Sequence, residues 1–330
     1  MSFKAYLISS ADGKTVSAAF TQMSEDQLDP GEVTIRVAHS SVNFKDALAA
    51  TGAGRIIRRY PCIGGIDLSG TVMDSRDPRF SAGDQVICTS YDVGVAHHGG
   101  YAELARVPAD WVLPLPAGMS LKEAMVFGTA GFTAGLAVAR MEHDGLKPAN
   151  GPVLVTGATG GVGSVAIEIL AKLGYKVVAL TGKAEQSDYL KKIGASEVML
   201  RSSLDLAKIK PLDRASWAGA VDSLGGEVLS WLASTMAVGG TLAAVGLAAG
   251  TALNTTVMPF ILRGVSLLGI DSVNCPMPVR TEVWRRLATD MRPQHLQELS
   301  RSIAFADLPG VFDDFMKARV TGRIVVDIAP

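Results

Sequence analysis

The sequence predicts an α/β protein in two modules, a mostly antiparallel β module followed by a doubly wound parallel sheet covered by helices. Three observations carry this. From Met1 to about Pro116 short strand-like runs are punctuated by Gly and Pro; a glycine-rich turn at 157–163 joins an apolar strand to a helix; and from Val153 onward strands alternate with helical intervals.

The bulk composition sets limits first. With 330 residues the chain is long enough for two cores. Lys and Arg number 31 against 32 Asp and Glu, a net charge of -1, so no nucleic-acid or membrane partner is expected. Cys62, Cys88 and Cys275 are widely spaced with no C-x-x-C pair, which excludes a disulfide framework or zinc knuckle and fits a reducing cytoplasm. The opening Met1-Ser2-Phe3-Lys4 soon reaches Asp12 and Lys14 and has no apolar run of the signal-peptide kind.

In the first module, Val33-Thr34-Ile35-Arg36-Val37-Ala38 alternates as a half-buried strand, and Gly70–Val72, Gln85–Cys88 and Tyr101–Glu103 continue the pattern. Helical spacing begins at Leu121–Val126 and Gly131–Arg140. Val153, Val177, Val198, Ala220, Leu242 and Leu267 then mark six successive strands, which predicts right-handed crossovers in a parallel sheet. No charged residue lies between Glu227 and Arg263, a run long enough to span a membrane. Gly239, Gly240, Gly246, Gly250 and Pro259 divide it, so a buried helix, a strand at Thr241–Val245 and a loop are expected instead. The last segment holds a helix with Trp284 and Leu287, another at Leu308–Lys317 and a strand at Arg323–Ile328, and is expected to return to the first module. The expected domains are therefore 1–125, 126–271 and the return at 272–330.

The glycine turn carries the first functional signal. Val153–Thr156 reads as a strand buried on both faces and Ser164–Leu173 as a helix, and between them stands Ala158-x-Gly160-x-x-Gly163 with Gly157 just before it. Glycines suit a tight strand-to-helix turn whose bare N–H groups meet a pyrophosphate at a helix start. The spacing departs from G-x-G-x-x-G by Ala at the first position, so the surrounding βαβ pattern supports the reading. The next strand ends Thr181-Gly182-Lys183, where an NAD site would place Asp or Glu. A hydroxyl and a cation there suit a 2′-phosphate, so the expected cofactor is NADPH.

Several stretches together resemble one family: Ser41-Val42-Asn43-Phe44-Lys45-Asp46-Ala47-Leu48, Gly65-Ile66-Asp67-Leu68-Ser69-Gly70, Gly99-Gly100-Tyr101-Ala102-Glu103, Gly128-Thr129-Ala130-Gly131-Phe132-Thr133-Ala134, the turn at 157–163, and Thr255–Arg263. The set is similar to the zinc-free medium-chain dehydrogenase/reductases of the quinone oxidoreductase branch. Thr255–Arg263, the Asp271-Ser272 after it and Ile56-Ile57-Arg58 look like the NADPH-dependent acrylyl-CoA reductase group within it. The resemblance implies a GroES-like catalytic module built from both chain ends, an inserted Rossmann domain, a homodimer and an active site in the cleft between domains. Zinc-bearing relatives place Cys where Asn43 stands and Gly-His-Glu where Gly65-Ile66-Asp67 stands, so no metal is expected. His39, His97, His98, His143 and His295 show no ligand spacing, and the adjacent His97 and His98 read as a solvated loop pair.

By the same resemblance, cofactor contacts fall on Thr159, Gly160, Gly161 and Val162 for the pyrophosphate and on Thr181, Gly182 and Lys183 for the 2′-phosphate. Arg201 is placed toward the adenosine end. Leu247, Ile261 and Ser272 are placed on the nicotinamide side, with Leu247 and Ile261 open to a plain core reading, and Arg323 is expected to close over the cofactor. Thr133 faces the cleft in the family or caps its helix. Asn43 is the candidate for the polar contact to the reacting carbonyl, or else a turn-capping residue. Phe44 departs from the Tyr usual in the acrylyl-CoA reductase group at a position that contacts the cofactor, and a phenyl ring there can still stack but offers no hydrogen bond or proton. Lys45, Arg55, Arg58 and Arg59 form a basic cluster, read either as a site for the phosphates of coenzyme A or as a solvated face. The expected activity is NADPH-dependent reduction of the C=C bond of a short 2-enoyl-CoA, acrylyl-CoA above all. An NADPH:quinone or activated-alkene reductase and a non-catalytic NADPH-binding protein are the alternatives.

Overall fold

The computed structural model describes residues 1–328 and divides into two compact units. The first is assembled from Met1–Thr129, Val273–Thr281 and the chain from Ser300 onward; the second is assembled from Ala130–Ser272 and Glu282–Leu299.

In chain order the first unit contributes β1 (Ser2–Ser9), β2 (Ser17–Ser24), β3 (Val33–Val42), α1 (Phe44–Thr51), β4 (Cys62–Ile63), β5 (Asp67–Ser75), β6 (Gln85–Thr89), β7 (Leu104–Val107) and β8 (Leu113–Pro114). Helix α2 (Leu121–His143) runs into the second unit. There follow β9 (Val153–Thr156), α3 (Gly161–Lys172), β10 (Val177–Thr181), α4 (Ser187–Lys192), β11 (Glu197–Leu200), β12 (Trp217–Asp222), α5 (Gly226–Thr235), β13 (Met236–Ala244), α6 (Met258–Arg263) and β14 (Ser266–Gly269). Helix α7 (Met277–Ala288), β15 (Ser300–Ala304), α8 (Leu308–Met316) and β16 (Arg323–Asp327) complete the chain.

The second unit is one 6-stranded parallel sheet in the order β11-β10-β9-β12-β13-β14. All six strands expected of it are present. β9 and β10 are fully buried because helices cover both faces, which is why the sequence shows them as continuous apolar runs. The first unit has a 3-stranded antiparallel sheet, β2-β1-β4, and a 7-stranded sheet, β15-β16-β3-β5-β6-β8 with β7 on β3. Its core gathers Phe3, Ile35, Val37, Leu68, Val86, Phe312, Ile324 and Val326. The C-terminal strand pairs antiparallel with β3, Ile324 opposite Val42, so Arg323 comes to lie at the start of α1.

Three expectations change. Tyr101–Glu103 is not a strand; it makes only an isolated bridge, Ala5 to Ala102, and the strand is Leu104–Val107. Tyr101 is instead turned into the interior, its hydroxyl donating to the Ser41 carbonyl at 3.0 Å. The two helices expected on either side of residue 128 are both present, parted at Gly128 by a φ of 50° and ψ of -155° that no helix contains. His97 and His98 are buried, not solvated, at 8% and 5% exposure; the Ile63 N–H donates to His98 Nδ1 at 3.1 Å, and His97 Nε2 lies 3.1 Å from the Pro30 carbonyl.

The third concerns the return segment. Glu282–Leu299 belongs to the second unit instead of going back with the rest of 272–330. Packing explains it: fully buried Trp284 stacks on Phe132 at 6.1 Å, and Leu287 and Val283 lie over Gly135, where a Cβ would come within 3.0 Å of Leu287. Glu168, buried at 3%, accepts from the Gln294 N–H at 3.1 Å and contacts His295 at 2.8 Å. Truncation of Trp284 to Ala is expected to destabilise the protein by about 3–5 kcal/mol, read as a lower urea midpoint, because the indole leaves a cavity the helix pair cannot close.

Candidate active site

In the second unit the strand order reverses between β9 and β12, and the carboxyl ends of these strands form a topological switch point. The glycine turn lies there. Gly157 has φ 57°, a conformation a side chain disfavours, and a Cβ on Gly163 would stand 2.4 Å from the Gly157 carbonyl oxygen. The turn thus packs against the start of α3 through bare backbone, leaving Gly160, Gly161 and Val162 half-buried with Thr159 behind them. Their N–H groups and the dipole of α3 make an anion cradle that fits a dinucleotide pyrophosphate. Thr156 and Asp222 pin the two strand ends: the Thr156 hydroxyl donates to Asp222 Oδ1 at 2.6 Å and accepts from the Ser223 N–H at 3.0 Å. Asp222 also accepts from the Gly225 N–H at 2.7 Å, while burial pushes its carboxyl up.

At the end of β10, Thr181 is buried and its hydroxyl accepts from the Lys183 N–H at 3.0 Å. A Cβ on Gly182 would lie 3.8 Å from an Arg201 guanidinium nitrogen, so Arg201 and the 181–183 turn occupy one place. The Thr181 hydroxyl and the Arg201 guanidinium lie at this turn together with Lys183, residue types suited to a phosphate. Thr133 is buried at 5% inside α2, beyond the first turn after Gly128, so it does not cap the helix. Ser272 is buried at 9%. Leu247 and Ile261 are exposed at 64% and 72%, which removes the plain core reading for both.

In the first unit the structure builds a site the sequence reading only touched. Asn43 stands immediately before α1, and the Asp46 carboxylate closes back on its N–H at 2.9 Å. The Asn43 amide nitrogen donates to Asp46 Oδ2 at 3.1 Å and to Asp67 Oδ2 at 2.7 Å, and its oxygen accepts from Arg323 Nη1 at 3.1 Å. The amide orientation follows from charge: the reverse would set its oxygen against two carboxyls and its NH₂ against a guanidinium. Asp67, fully buried, further accepts from the Ser41 hydroxyl at 2.6 Å, from the Thr129 N–H at 3.0 Å and from the Thr129 hydroxyl at 2.5 Å. Arg323 is 2% exposed and also donates to the Val126 carbonyl at 2.9 Å, the Val42 carbonyl at 3.3 Å and the Ser41 hydroxyl at 2.9 Å.

Two expectations are corrected here. Arg323 does not close over a cofactor, because Nε, Nη1 and Nη2 all donate inward and the side chain is buried. Asn43 cannot offer its amide to a substrate carbonyl, since both NH₂ hydrogens are held by Asp46 and Asp67. The capping alternative describes it better, with the addition that it joins three charged groups. Phe44, next along, is 49% exposed and presents its ring outward. The basic cluster also divides. Arg58 pairs with Asp92 and Arg59 with Asp29 and the Ala96 carbonyl, whereas Lys45 and Arg55 make no such pair among the described residues.

Asp46, Asp67, Ser41, Tyr101 and Thr129 were not singled out from the sequence as site residues. The available signal was two aspartates inside otherwise apolar, buried runs, Ala47 after one and Ile66 and Leu68 around the other. Burial foremost, and the neighbouring Asp67 next, push the Asp46 carboxyl up to about 7. A carboxyl raised in the folded state contributes most to stability when protonated, and that contribution is lost as pH rises from the ordinary carboxylate range through about 7. Wild-type stability is therefore expected to fall between about pH 4 and 7, the range between the ordinary and the raised value, and the slope to flatten in Asp46→Asn, measured by urea unfolding across pH.

Two family models match the chain, one described as the alcohol dehydrogenase GroES-like domain at residues 29–117 and one as zinc-binding dehydrogenase at 161–289. Among the described residues no group of three His, Cys, Asp or Glu could hold a metal ion. The putative quinone oxidoreductase YhfP of Bacillus subtilis is 51% identical over 95% of this chain and 95% of its own length, and its structure, solved with NAD bound, superposes with a TM-score of 0.96 over 99% of each chain. The acrylyl-CoA reductase AcuI of Ruegeria pomeroyi is 49% identical over 96% of each sequence. The yhdH oxidoreductase of Salmonella enterica, solved in complex with NADP, is 47% identical with a TM-score of 0.96 over 99% of this chain and 100% of its own. On identity, coverage and both of its folded units, this chain belongs to the medium-chain dehydrogenase/reductase family, in the branch that holds quinone oxidoreductases and acrylyl-CoA reductases.

Proposed function

We propose that this chain is an NADPH-dependent reductase of the C=C bond of a short 2-enoyl-CoA thioester, converting acrylyl-CoA to propionyl-CoA. The observation that carries the reading is near full-length similarity to a reductase of that name at 49% identity. The cofactor choice rests on the phosphate-type donor set of Thr181, Lys183 and Arg201, with no carboxylate in the 181–183 turn. When bound, NADPH supplies a hydride for the β-carbon. Thr159, Gly160, Gly161 and Val162 hold its pyrophosphate in this reading, Leu247, Ile261 and Ser272 stand on its nicotinamide side, and the exposed Phe44 ring offers an apolar face. Lys45 and Arg55 are the cations left to receive coenzyme A phosphates.

A quinone or general activated-alkene reductase is the second reading, favoured by the 51% identical relative described as a putative quinone oxidoreductase. We also assign the protein to the cytoplasm as a soluble homodimer, joined along β14. That strand forms one edge of the parallel sheet, and the adjoining Val257 and Leu262 are exposed at 64% and 61%.

NADPH oxidation is the direct test: fast turnover with acrylyl-CoA and slow turnover with a simple quinone supports the first reading, and the reverse supports the second. Lys183→Ala with Arg201→Ala is expected to raise the KM for NADPH by about 10- to 100-fold and leave the KM for NADH unchanged, since two charge-assisted contacts are removed. Lys45→Ala with Arg55→Ala should raise the KM for the CoA thioester and not that for a quinone; equal effects on both would sink the coenzyme A assignment.

A further inference from the structure

Two adjacent histidines of the first unit stand in opposite hydrogen-bonding surroundings. At His98 the Ile63 N–H donates to Nδ1 at 3.1 Å, so that nitrogen carries a lone pair and the one ring proton sits on Nε2. His98 is therefore held neutral, and burial, foremost, keeps its ring below the ordinary histidine value. At His97, Nδ1 lies 3.2 Å from the His98 carbonyl and Nε2 lies 3.1 Å from the Pro30 carbonyl. A carbonyl oxygen only accepts, so both contacts are hydrogen bonds only when each ring nitrogen carries a proton. With one proton the ring satisfies one carbonyl and turns a lone pair on the other, at a residue only 8% exposed.

Three separate stretches meet at this ring. Asp29, from the segment before β3, accepts from the His98 N–H at 2.7 Å, pairs with Arg59 and stands 4.0 Å from His97 Nδ1. Arg59 Nε donates to the Ala96 carbonyl at 3.0 Å, the Arg58 N–H donates to the Val95 carbonyl at 2.9 Å, and Arg58 also pairs with Asp92. The Arg58–Arg59 strip thus leans on the loop that carries His97. The titratable and charged groups facing the His97 ring are Asp29 on one side, Arg59 and Cys62 from the segment entering β4, and His98 beside it. Burial pushes the Cys62 thiol up to about 12, and its Sγ donates to the His97 carbonyl at 3.3 Å. Asp29 stays below the ordinary carboxylate value: burial opposes this, and the His98 N–H, the two histidines and Arg59 outweigh it. Trp111 closes the remaining side, edge to face at 5.3 Å.

We infer that His97 is a pH-operated clasp: with both ring nitrogens protonated it fastens Pro30 to the loop at 92–98, and with one proton it releases a carbonyl and loosens the Arg58–Arg59 strip resting on that loop. One proton from solvent closes the clasp and its return to solvent opens it. The closed form binds one more proton, so the order it imposes is complete at pH below the ordinary histidine value and is lost as pH rises through the range where the ring gives that proton up. The neighbouring His98 is a neutral strut that does not change. The device goes beyond the reductase reading and stands whichever substrate the enzyme takes; where the coenzyme A assignment holds, Arg55 lies on the strip that the clasp steadies.

The test is nitrogen NMR and amide hydrogen exchange on the full chain. In protein labelled with ¹⁵N-histidine, the His97 ring is expected to carry two protons at about pH 5.5 and one at about pH 8.5, while His98 carries one throughout. The His97 signals are assigned by their loss in His97→Gln and, independently of any variant, by the contact of the ring with Trp111. Over the same span the protection factor of the Arg58 amide is expected to fall by about 5- to 10-fold in the wild type. Asp46→Asn, which removes the other group of this unit raised toward neutrality, should show the same fall, and His97→Gln should show none. A His97 ring with one proton at both pH values, or with two at both, overturns the switch. Titration of His97 with flat Arg58 protection, or an equal fall in His97→Gln, overturns the clasp.

Discussion

Arg323 inside the first unit is the interaction on which the rest of the site depends. A guanidinium 2% exposed can be tolerated only with its donors satisfied and its charge balanced, and the chain meets both needs with groups from three separate stretches. Val42 and Val126 supply carbonyls, Ser41 a hydroxyl, and the Asn43 amide transmits the charge to Asp46 and Asp67. One cation against two carboxyls leaves a surplus negative charge in a dry environment. A raised Asp46 carboxyl resolves it, since taking up one proton makes the cluster neutral. Losing one partner of such a cluster costs about 3–5 kcal/mol because the others stay buried and uncompensated.

That cluster also orders local backbone. The Asp46 carboxylate shapes the first turn of α1, and Asp67 holds Thr129 where Gly128 interrupts a long apolar helix. The C-terminal strand delivers Arg323 by register alone, Ile324 opposite Val42. Residues at the two ends of the chain therefore become neighbours through sheet pairing and not through sequence proximity.

The second unit solves a different problem with different means. Its turn meets the start of α3 through backbone, so what matters at Gly157 and Gly163 is the missing Cβ, and in the proposed reading the side chains that discriminate the cofactor stand one strand away at Thr181, Lys183 and Arg201. The basic face of the first unit shows how context alters a charge. Arg58 and Arg59 look equivalent to Arg55 in sequence, yet each has a carboxylate partner from a distant segment and Arg55 has none among the described residues.

What the sequence determined by itself was local and periodic. The six parallel strands, the break near residue 128 and the glycine turn before α3 were all legible because buried strands, helix spacing and glycine turns leave patterns within a dozen residues. The tertiary structure alone decided the outcomes set by long-range neighbours. It moved Glu282–Leu299 onto the second unit through Trp284, turned Tyr101 inward and out of a strand, buried His97 and His98, and made Arg323 an internal counter-ion. It also consumed both donors of Asn43, because a hydrogen-bond capacity read from residue type says nothing of which partners the fold has already brought within reach.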